Sequence, residues 1–255
     1  MLNHNRILIL LLSCCVIGLA GRSTSAVAKP ANPDKLWEII SQECLPNSIA
    51  HNHPAPCSMV DREHGFAILK DIVGRGQFLL IPTQRLSGIE SPQLQSETIP
   101  NYWRHAWEQR ARVGAALGRS LAREQIGLEI NSAAARSQLQ LHIHIDCMRP
   151  DLPGQLRAHA ADPLERWMPF MLEGHQYFIM RLPADALERL SPFRLAAATT
   201  PQAARMMGAQ SLLLTGAYFE DGSEGFYLIN MPVNFERGER GSAEVLLDHD
   251  CAIAD

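Results

Sequence analysis

The residues best equipped for chemistry lie in one run, Ser137-Gln138-Leu139-Gln140-Leu141-His142-Ile143-His144-Ile145-Asp146-Cys147. Side chains alternate between the two faces of a strand. A strand here therefore sets Gln138, Gln140, His142, His144 and Asp146 on one face, with Leu139, Leu141, Ile143, Ile145 and Cys147 on the other. The apolar face needs only a core to cover it. The polar face offers two imidazoles beside two amides and a carboxylate. Neutral imidazole is a good nucleophile near neutral pH and can carry a covalent intermediate. The same His-x-His spacing also suits zinc, with His142, His144 and Asp146 as the ligand set. A solvated outer face is the reading without function, and it leaves the paired imidazoles unexplained.

Those residues must be held by a folded domain, and the composition supplies one. With 46% hydrophobic and 20% charged residues in 255, the chain has enough apolar material for one large domain or two small ones. The net charge is -4, and the 23 basic residues are spread among acids, which argues against nucleic acid as a partner. Residues 7–20 carry no charge, and Ala26-Val27-Ala28 resembles a cleavage site for export. An uncleaved anchor is the alternative, since extending the segment to Val27 approaches the roughly 20 residues of a spanning helix. Residues 1–28 are thus expected to be a signal peptide or membrane anchor.

Export exposes Cys44, Cys57, Cys147 and Cys251 to an oxidising compartment, where two disulfides are expected. Cys44 with Cys57 is the short-loop choice and leaves Cys147 to join Cys251 on a C-terminal strand; buried free thiols are the alternative. No Cys-x-x-Cys spacing supports structural zinc. A short amphipathic helix follows Asn32-Pro33-Asp34, and residues 45–56 read as a loop rich in Pro, Asn and His. Residues 65–70 and 77–82 form a hairpin around Gly74 and Gly76. Trp103, Trp107, Val113 and Leu117 mark an amphipathic helix over residues 101–117. Residues 126–130 make a strand antiparallel to the central run.

Strand, strand, helix, strand, strand is the order of the histidine-triad (HIT) superfamily of nucleotide hydrolases and transferases, which this half resembles. A closer resemblance is to the bacterial CDP-diacylglycerol pyrophosphatase family. It is carried by Cys44-Leu45-Pro46-Asn47, Leu69-Lys70-Asp71, Gly88-Ile89-Glu90-Ser91-Pro92, Ile130-Asn131-Ser132, Arg136-Ser137-Gln138, His142-Ile143-His144-Ile145-Asp146-Cys147, Ser191-Pro192-Phe193 and Asp248-His249-Asp250-Cys251. The resemblance implies hydrolysis of CDP-diacylglycerol to CMP and phosphatidate through a cytidylyl-histidine, with no cofactor and no metal. Gln140 replaces the first histidine of the triad, His142 takes the nucleophilic position and His144 the third. A shifted register would make His144 the nucleophile and Asp146 the third member. The first register is favoured because it puts Ser137 at the leaving-group hydroxyl. The catalytic set is then His142, His144, Gln140 and Ser137. Asp71 matches the ribose contact and Asn131 the phosphate neighbour, while Arg136, Gln138 and Lys70 complete the substrate-binding set. His249 and the other scattered histidines read as structural.

The C-terminal half repeats the order of the first without its histidines, and residues 174–195 echo residues 74–94 at an offset of 100. The fold expected is α+β: a HIT-like catalytic half at 29–150 and a degenerate HIT-like half at 151–255, joined in one antiparallel sheet as a pseudo-dimer. A monomer follows from that arrangement. The lipid substrate implies a membrane surface as partner and a location at the bacterial inner membrane or in the periplasm. A zinc metallohydrolase using His142, His144 and Asp146, or a nucleotide-lipid binding module without turnover, are the competing functions.

Overall fold

Near-continuous apolar runs such as Phe66-Ala67-Ile68-Leu69 and Phe78-Leu79-Leu80-Ile81 dictate central strands buried on both faces, and nine strands form one sheet. The computed structural model describes residues 32–255; the expected signal or anchor at 1–28 lies outside the described residues. The strands are β1 (Met59–Asp61), β2 (Phe66–Lys70), β3 (Phe78–Pro82), β4 (Ile126–Ile130), β5 (Ile143–Cys147), β6 (Trp167–Leu172), β7 (His175–Pro183), β8 (Leu212–Tyr218) and β9 (Glu224–Asn230). Their order is β1-β2-β3-β5-β4-β8-β9-β7-β6, and neighbours pair antiparallel throughout. Short helices pack on both faces, so the class is α+β. Among the described residues, no helix is long and apolar enough to cross a membrane.

One face of the sheet carries a continuous core. Phe66 and Ile68 of β2, Phe78 and Leu80 of β3, Leu128 of β4, Ile143 and Ile145 of β5 and Leu212 and Leu214 of β8 all join it, capped by Trp103 and Phe193. The other face holds two separate apolar clusters. One gathers Ile40, Cys44, Ala67, Leu79 and Ile81 under the N-terminal helical segment. The second gathers Leu156, Tyr177, Leu213, Tyr227 and Leu246. Between them, over β4 and β5, the alternating positions are Glu129, His144 and Asp146, each buried. The interruption of an otherwise apolar face is what locates the site.

The sequence expectations hold for the two hairpins and fail at several edges. The central strand begins at Ile143 rather than Ser137. Upstream, Leu139 N–H donates to the Pro33 carbonyl and Leu141 N–H to the Leu86 carbonyl, so loops rather than a neighbouring strand satisfy this backbone. Alternation lapses accordingly: Leu139 is 41% exposed while Gln140 is fully buried. Residues 45–56 are not all loop, because Leu45–His51 is helical and continues the helical run that begins at Lys35 and passes through Ile39–Cys44. The helix expected over 101–117 divides into Tyr102–Glu108 and Ala111–Ala116. Edge strand β6 escapes a pattern reading because it contains Pro169, which edges tolerate.

Both disulfides have the expected partners, Cys44 with Cys57 and Cys147 with Cys251. The C-terminal element is not a strand, however. Cys251 is left-handed (φ 54°) at the head of a short 3-10 turn, Ala252–Ala254. Gly127 of β4 faces Asp146 across the ladder. A Cβ there would come within 2.6 Å of Leu247, so glycine is what lets the C-terminal segment lie against the sheet.

Candidate active site

A cavity of about 510 Å³ opens over the gap between the two lower clusters. Leu36, Ile39, Pro56, Leu69, Ile72, Val73 and Leu79 give it an apolar lining, and Lys70, Asp71, Gln77, Asn131, Ser137, Gln138, His142, His144 and Glu244 a polar one. Seven of the nine expected site residues thus lie at or near one space: His142, His144, Ser137, Asp71, Asn131, Gln138 and Lys70.

His142 stands just before β5 and is 8% exposed. Its Nδ1 lies 2.8 Å from the Gln140 carbonyl oxygen. A carbonyl only accepts, so Nδ1 carries the proton and Nε2 keeps its lone pair. Burial pushes the imidazole down to about 4, helped by the neighbouring His144 charge. His142 is therefore neutral across the physiological range, with the lone pair on Nε2. His144 follows on the same face, its ring centroid 5.0 Å from that of His142. Its Nδ1 is 3.4 Å from Gln77 Oε1 and 3.9 Å from Glu244 Oε1; its Nε2 is 4.0 Å from Glu129 Oε2. Among the described residues, His144 Nε2 and Glu129 Oε2 are buried without hydrogen-bond partners. Burial lowers His144 and, with the repulsion of Glu244, raises Glu129 well above the usual carboxylate range.

Glu244 enters from the C-terminal segment. Its Oε2 accepts a 2.7 Å hydrogen bond from Asn131 Nδ2, and its Oε1 is 3.3 Å from His249 Nε2. His249 Nδ1 is 2.7 Å from Asp146 Oδ2. Gripped first by Asp146 and then by Glu244, His249 is pushed up to about 10, and Glu244 is held down at about 2, mainly by His249. The result is a charged chain, Asp146 to His249 to Glu244, ending beside His144. On the opposite side, Asp71 accepts from Gln77 Nε2 at 2.8 Å, which ties it to His144 through one amide.

A family model described as CDP-diacylglycerol pyrophosphatase matches residues 31–255, the full extent over which this site is built. The chain belongs to that family. A CDP-diacylglycerol pyrophosphatase of Yersinia pestis is 41% identical over 225 residues, covering 88% of this chain and 86% of the relative.

Within this CDP-diacylglycerol pyrophosphatase family member, two expected site residues are not brought to the cavity. Gln140 is fully buried. Its Nε2 donates to the Pro82 and Gln84 carbonyls at 3.1 and 2.9 Å, and its Oε1 accepts from Leu86 N–H, so no donor remains for a phosphoryl oxygen. It holds the loop after β3 in place. Arg136 forks onto both oxygens of Glu90 instead of meeting a pyrophosphate, and Gly88 leaves the space its guanidinium occupies. Gln138 lines the cavity, but its amide is committed to the Leu36 N–H and the Asn32 carbonyl. Lys70 Nζ likewise reaches the Asp71 and Gly74 carbonyls at 2.8 and 3.0 Å, bracing the hairpin turn. Arg136→Ala is accordingly expected to lower unfolding stability by about 1–3 kcal/mol for the stranded Glu90, read as a lower melting midpoint, and to leave KM within twofold; a large rise in KM would return Arg136 to the substrate.

The zinc set His142, His144 and Asp146 does not converge, because Asp146 points to His249 and the Cys147–Cys251 disulfide. Two groups among the described residues have ligand atoms within 4.8 Å of one another: Asp146, Cys147 and Cys251, whose thiols are spent on the disulfide, and Glu129, His144 and Glu244, which could share a cation. Sequence reasoning missed Glu129, Glu244 and Gln77, and it set His249 aside as isolated. Glu129 had a legible signal, since it occupies a polar position in the otherwise apolar strand Ile126–Ile130. Glu244 had none, because it meets His144 across 100 residues of chain; His249, 103 residues from Asp146, stood within the Asp248-His249-Asp250-Cys251 motif but without a visible partner.

Proposed function

We propose that the protein hydrolyses the pyrophosphate of CDP-diacylglycerol to CMP and phosphatidate through a cytidylyl-His142 intermediate. The observation that carries this reading is the Nδ1 bond from His142 to the Gln140 carbonyl, which leaves Nε2 as the nitrogen for attack. In the first step Nε2 attacks the cytidylyl phosphorus and the phosphatidate oxygen leaves, with Ser137 on the cavity lining to assist it. His144 donates to the phosphoryl oxygens as charge develops. Burial disfavours its imidazolium in the empty site, and a bound pyrophosphate reverses that balance. Asp71 receives the ribose hydroxyls, and Asn131 stays near the phosphate. The family's named substrate and the coincidence of these groups in one cavity support the assignment.

The test is incubation of residues 32–255 with CDP-diacylglycerol, assaying CMP and phosphatidate with and without a strong chelator. Equal amounts of both products, insensitive to chelator, are expected. Release of CDP with diacylglycerol would overturn the bond assignment, and chelator sensitivity would favour a cation held by Glu129, His144 and Glu244.

The same reading places the diacylglycerol moiety along Leu36, Ile39, Leu69 and Leu79 and sets the hairpin tip into the lipid surface. Ile72 is fully exposed at the cavity rim and Val73 is 52% exposed beside it. Large apolar side chains so placed are costly in water and favourable in a bilayer interface. Ile72→Asp with Val73→Asp should slow turnover of vesicle-borne substrate at least about tenfold, while a water-soluble short-chain analogue is turned over normally. Equal slowing of both would sink the membrane contact. Two disulfides and a membrane-borne substrate support a periplasmic location at the inner membrane.

The sheet itself supports a duplicated HIT-like architecture, residues 29–150 and 151–255, in one chain. Read from its outer edge, the first half runs β1-β2-β3-β5-β4 and the second runs β6-β7-β9-β8, so that β2-β3-β5-β4 corresponds to β6-β7-β9-β8 with β1 extra, and the halves meet where β4 pairs antiparallel with β8. That is the relation of two subunits about a twofold axis, and it supports a monomer in solution.

A further inference from the structure

Hydrolysis of a cytidylyl-histidine needs a water molecule aimed at phosphorus. The polar positions along β5 and the segment before it are already used, because His142 is the covalent partner, His144 is given to the phosphoryl oxygens, Gln140 is spent on backbone and Asp146 is turned to His249. Glu129 is fully buried and does not line the cavity. Glu244 does line it, together with His142, His144 and Asn131, and its side chain keeps 30% exposure. Both of its oxygens are gripped, one by Asn131 at 2.7 Å and one by His249 at 3.3 Å. His249 is anchored in turn by the fully buried Asp146 at 2.7 Å. The disulfide between Cys147 and Cys251 locks the neighbours of that pair together. An ion pair that merely fastened the C-terminal segment to the sheet would have no reason to present its carboxylate to the cavity beside two imidazoles.

We propose that Glu244 orients the hydrolytic water and takes its proton in the second step, with Asn131, His249 and Asp146 as positioning residues. This rests on the covalent reading of His142 given above. The water oxygen bonds to phosphorus as the bond from phosphorus to His142 Nε2 breaks. The electron pair of that bond returns to Nε2 and leaves a neutral imidazole whose Nδ1 proton never left the Gln140 carbonyl. The water proton passes to the Glu244 carboxylate and on to solvent as CMP departs. An ionised carboxylate is an acceptor only, so it holds the water by a hydrogen and turns an oxygen lone pair outward. In phosphoryl-type transfer such alignment matters more than the strength of the base.

Glu244→Gln tests the assignment by separating the two steps. In the parent protein, rapid mixing with CDP-diacylglycerol labelled in the cytidylyl group should give a short-lived adduct that His142→Ala cannot form. In Glu244→Gln the adduct should form at a rate within about fivefold of the parent and persist about 100-fold longer, the scale of one acid-base group. Hydroxylamine, a nucleophile that needs no base, should discharge it. Rapid adduct formation in the variant also certifies that its site is folded. His249→Gln should lengthen adduct lifetime in the same direction. Adduct formation and discharge slowed equally, or an unchanged lifetime, would overturn the role of Glu244 and leave His142 intact. A chelator that lengthens the lifetime in the parent protein would overturn it also, because a carboxylate acting directly needs no cation. Absence of any adduct in the parent would overturn this proposal together with the covalent reading.

Discussion

His142→Ala is expected to reduce CMP release by about 10⁴-fold or more, the scale on which losing a covalent nucleophile acts. The substitution removes the cavity-lining nitrogen whose lone pair the Gln140 bond leaves free. Among the described residues, His144 is the other imidazole on the cavity lining, and its Nδ1 and Nε2 lie 3.9 and 4.0 Å from the Glu244 and Glu129 carboxyl groups. The same geometry fixes the pH dependence. Burial, reinforced by His144, holds His142 down at about 4. A group with a lowered value stays neutral above it, so the first step should be flat from neutral pH to about 5 and should fall as pH drops through 4. Replacing His144 by Gln removes one of the two influences that lower His142, and the acid limb should move upward. Pre-steady-state adduct formation across pH measures this directly. A parental rate in His142→Ala, or an acid limb near 6.5, would defeat the assignment.

The second large effect concerns the Cys147–Cys251 disulfide. It closes a loop of 104 residues, against 13 for Cys44–Cys57. On a chain-entropy account the long loop is worth about 4–5 kcal/mol and the short one about 3. At this chain length a loss of 4–5 kcal/mol shifts the melting midpoint by roughly 10–20 °C. Cys147→Ala with Cys251→Ala should therefore melt lower than Cys44→Ala with Cys57→Ala. It should also lose activity well below its own melting range, because Asp146 and His249 lie next to the bond. Thermal melts paired with CMP assays at low temperature decide it. Full activity in the long-loop variant while folded would show that the disulfide has no part in holding the site.

The fold was largely legible because its strands follow strong local patterns. Phe66-Ala67-Ile68-Leu69 and Phe78-Leu79-Leu80-Ile81 announce a hairpin wherever they occur, and Gly74, with φ of 76°, marks its turn. The site was legible where chemistry coincided with that pattern: His142, His144, Asp71 and Asn131 all sit at or beside the ends of strands. It failed where a side chain's use depends on distant backbone. Gln140 looks like a catalytic donor until the Pro82 and Gln84 carbonyls are seen to take both of its hydrogens. Arg136 looks like a pyrophosphate ligand until Glu90 is brought within reach by the loop after β3. Glu244 could not be read at all and His249 only as part of the Asp248-His249-Asp250-Cys251 motif, since only the closed sheet delivers them to β5. The apolar lining was equally hidden, because Leu36 and Ile39 come from a helical segment whose contact with the hairpin no local pattern encodes.

The C-terminal approach to β5 also bears on how the protein is made. His142 and His144 leave the ribosome about a hundred residues before Glu244 and His249. Until the later pair is synthesised, Asp146 has no partner and the nascent sheet ends at β4, awaiting β8. Residues 244–249 must therefore be synthesised before the candidate site can assemble, and a chain stalled just after the histidines would lack the carboxylate and imidazole that meet His144 and Asp146.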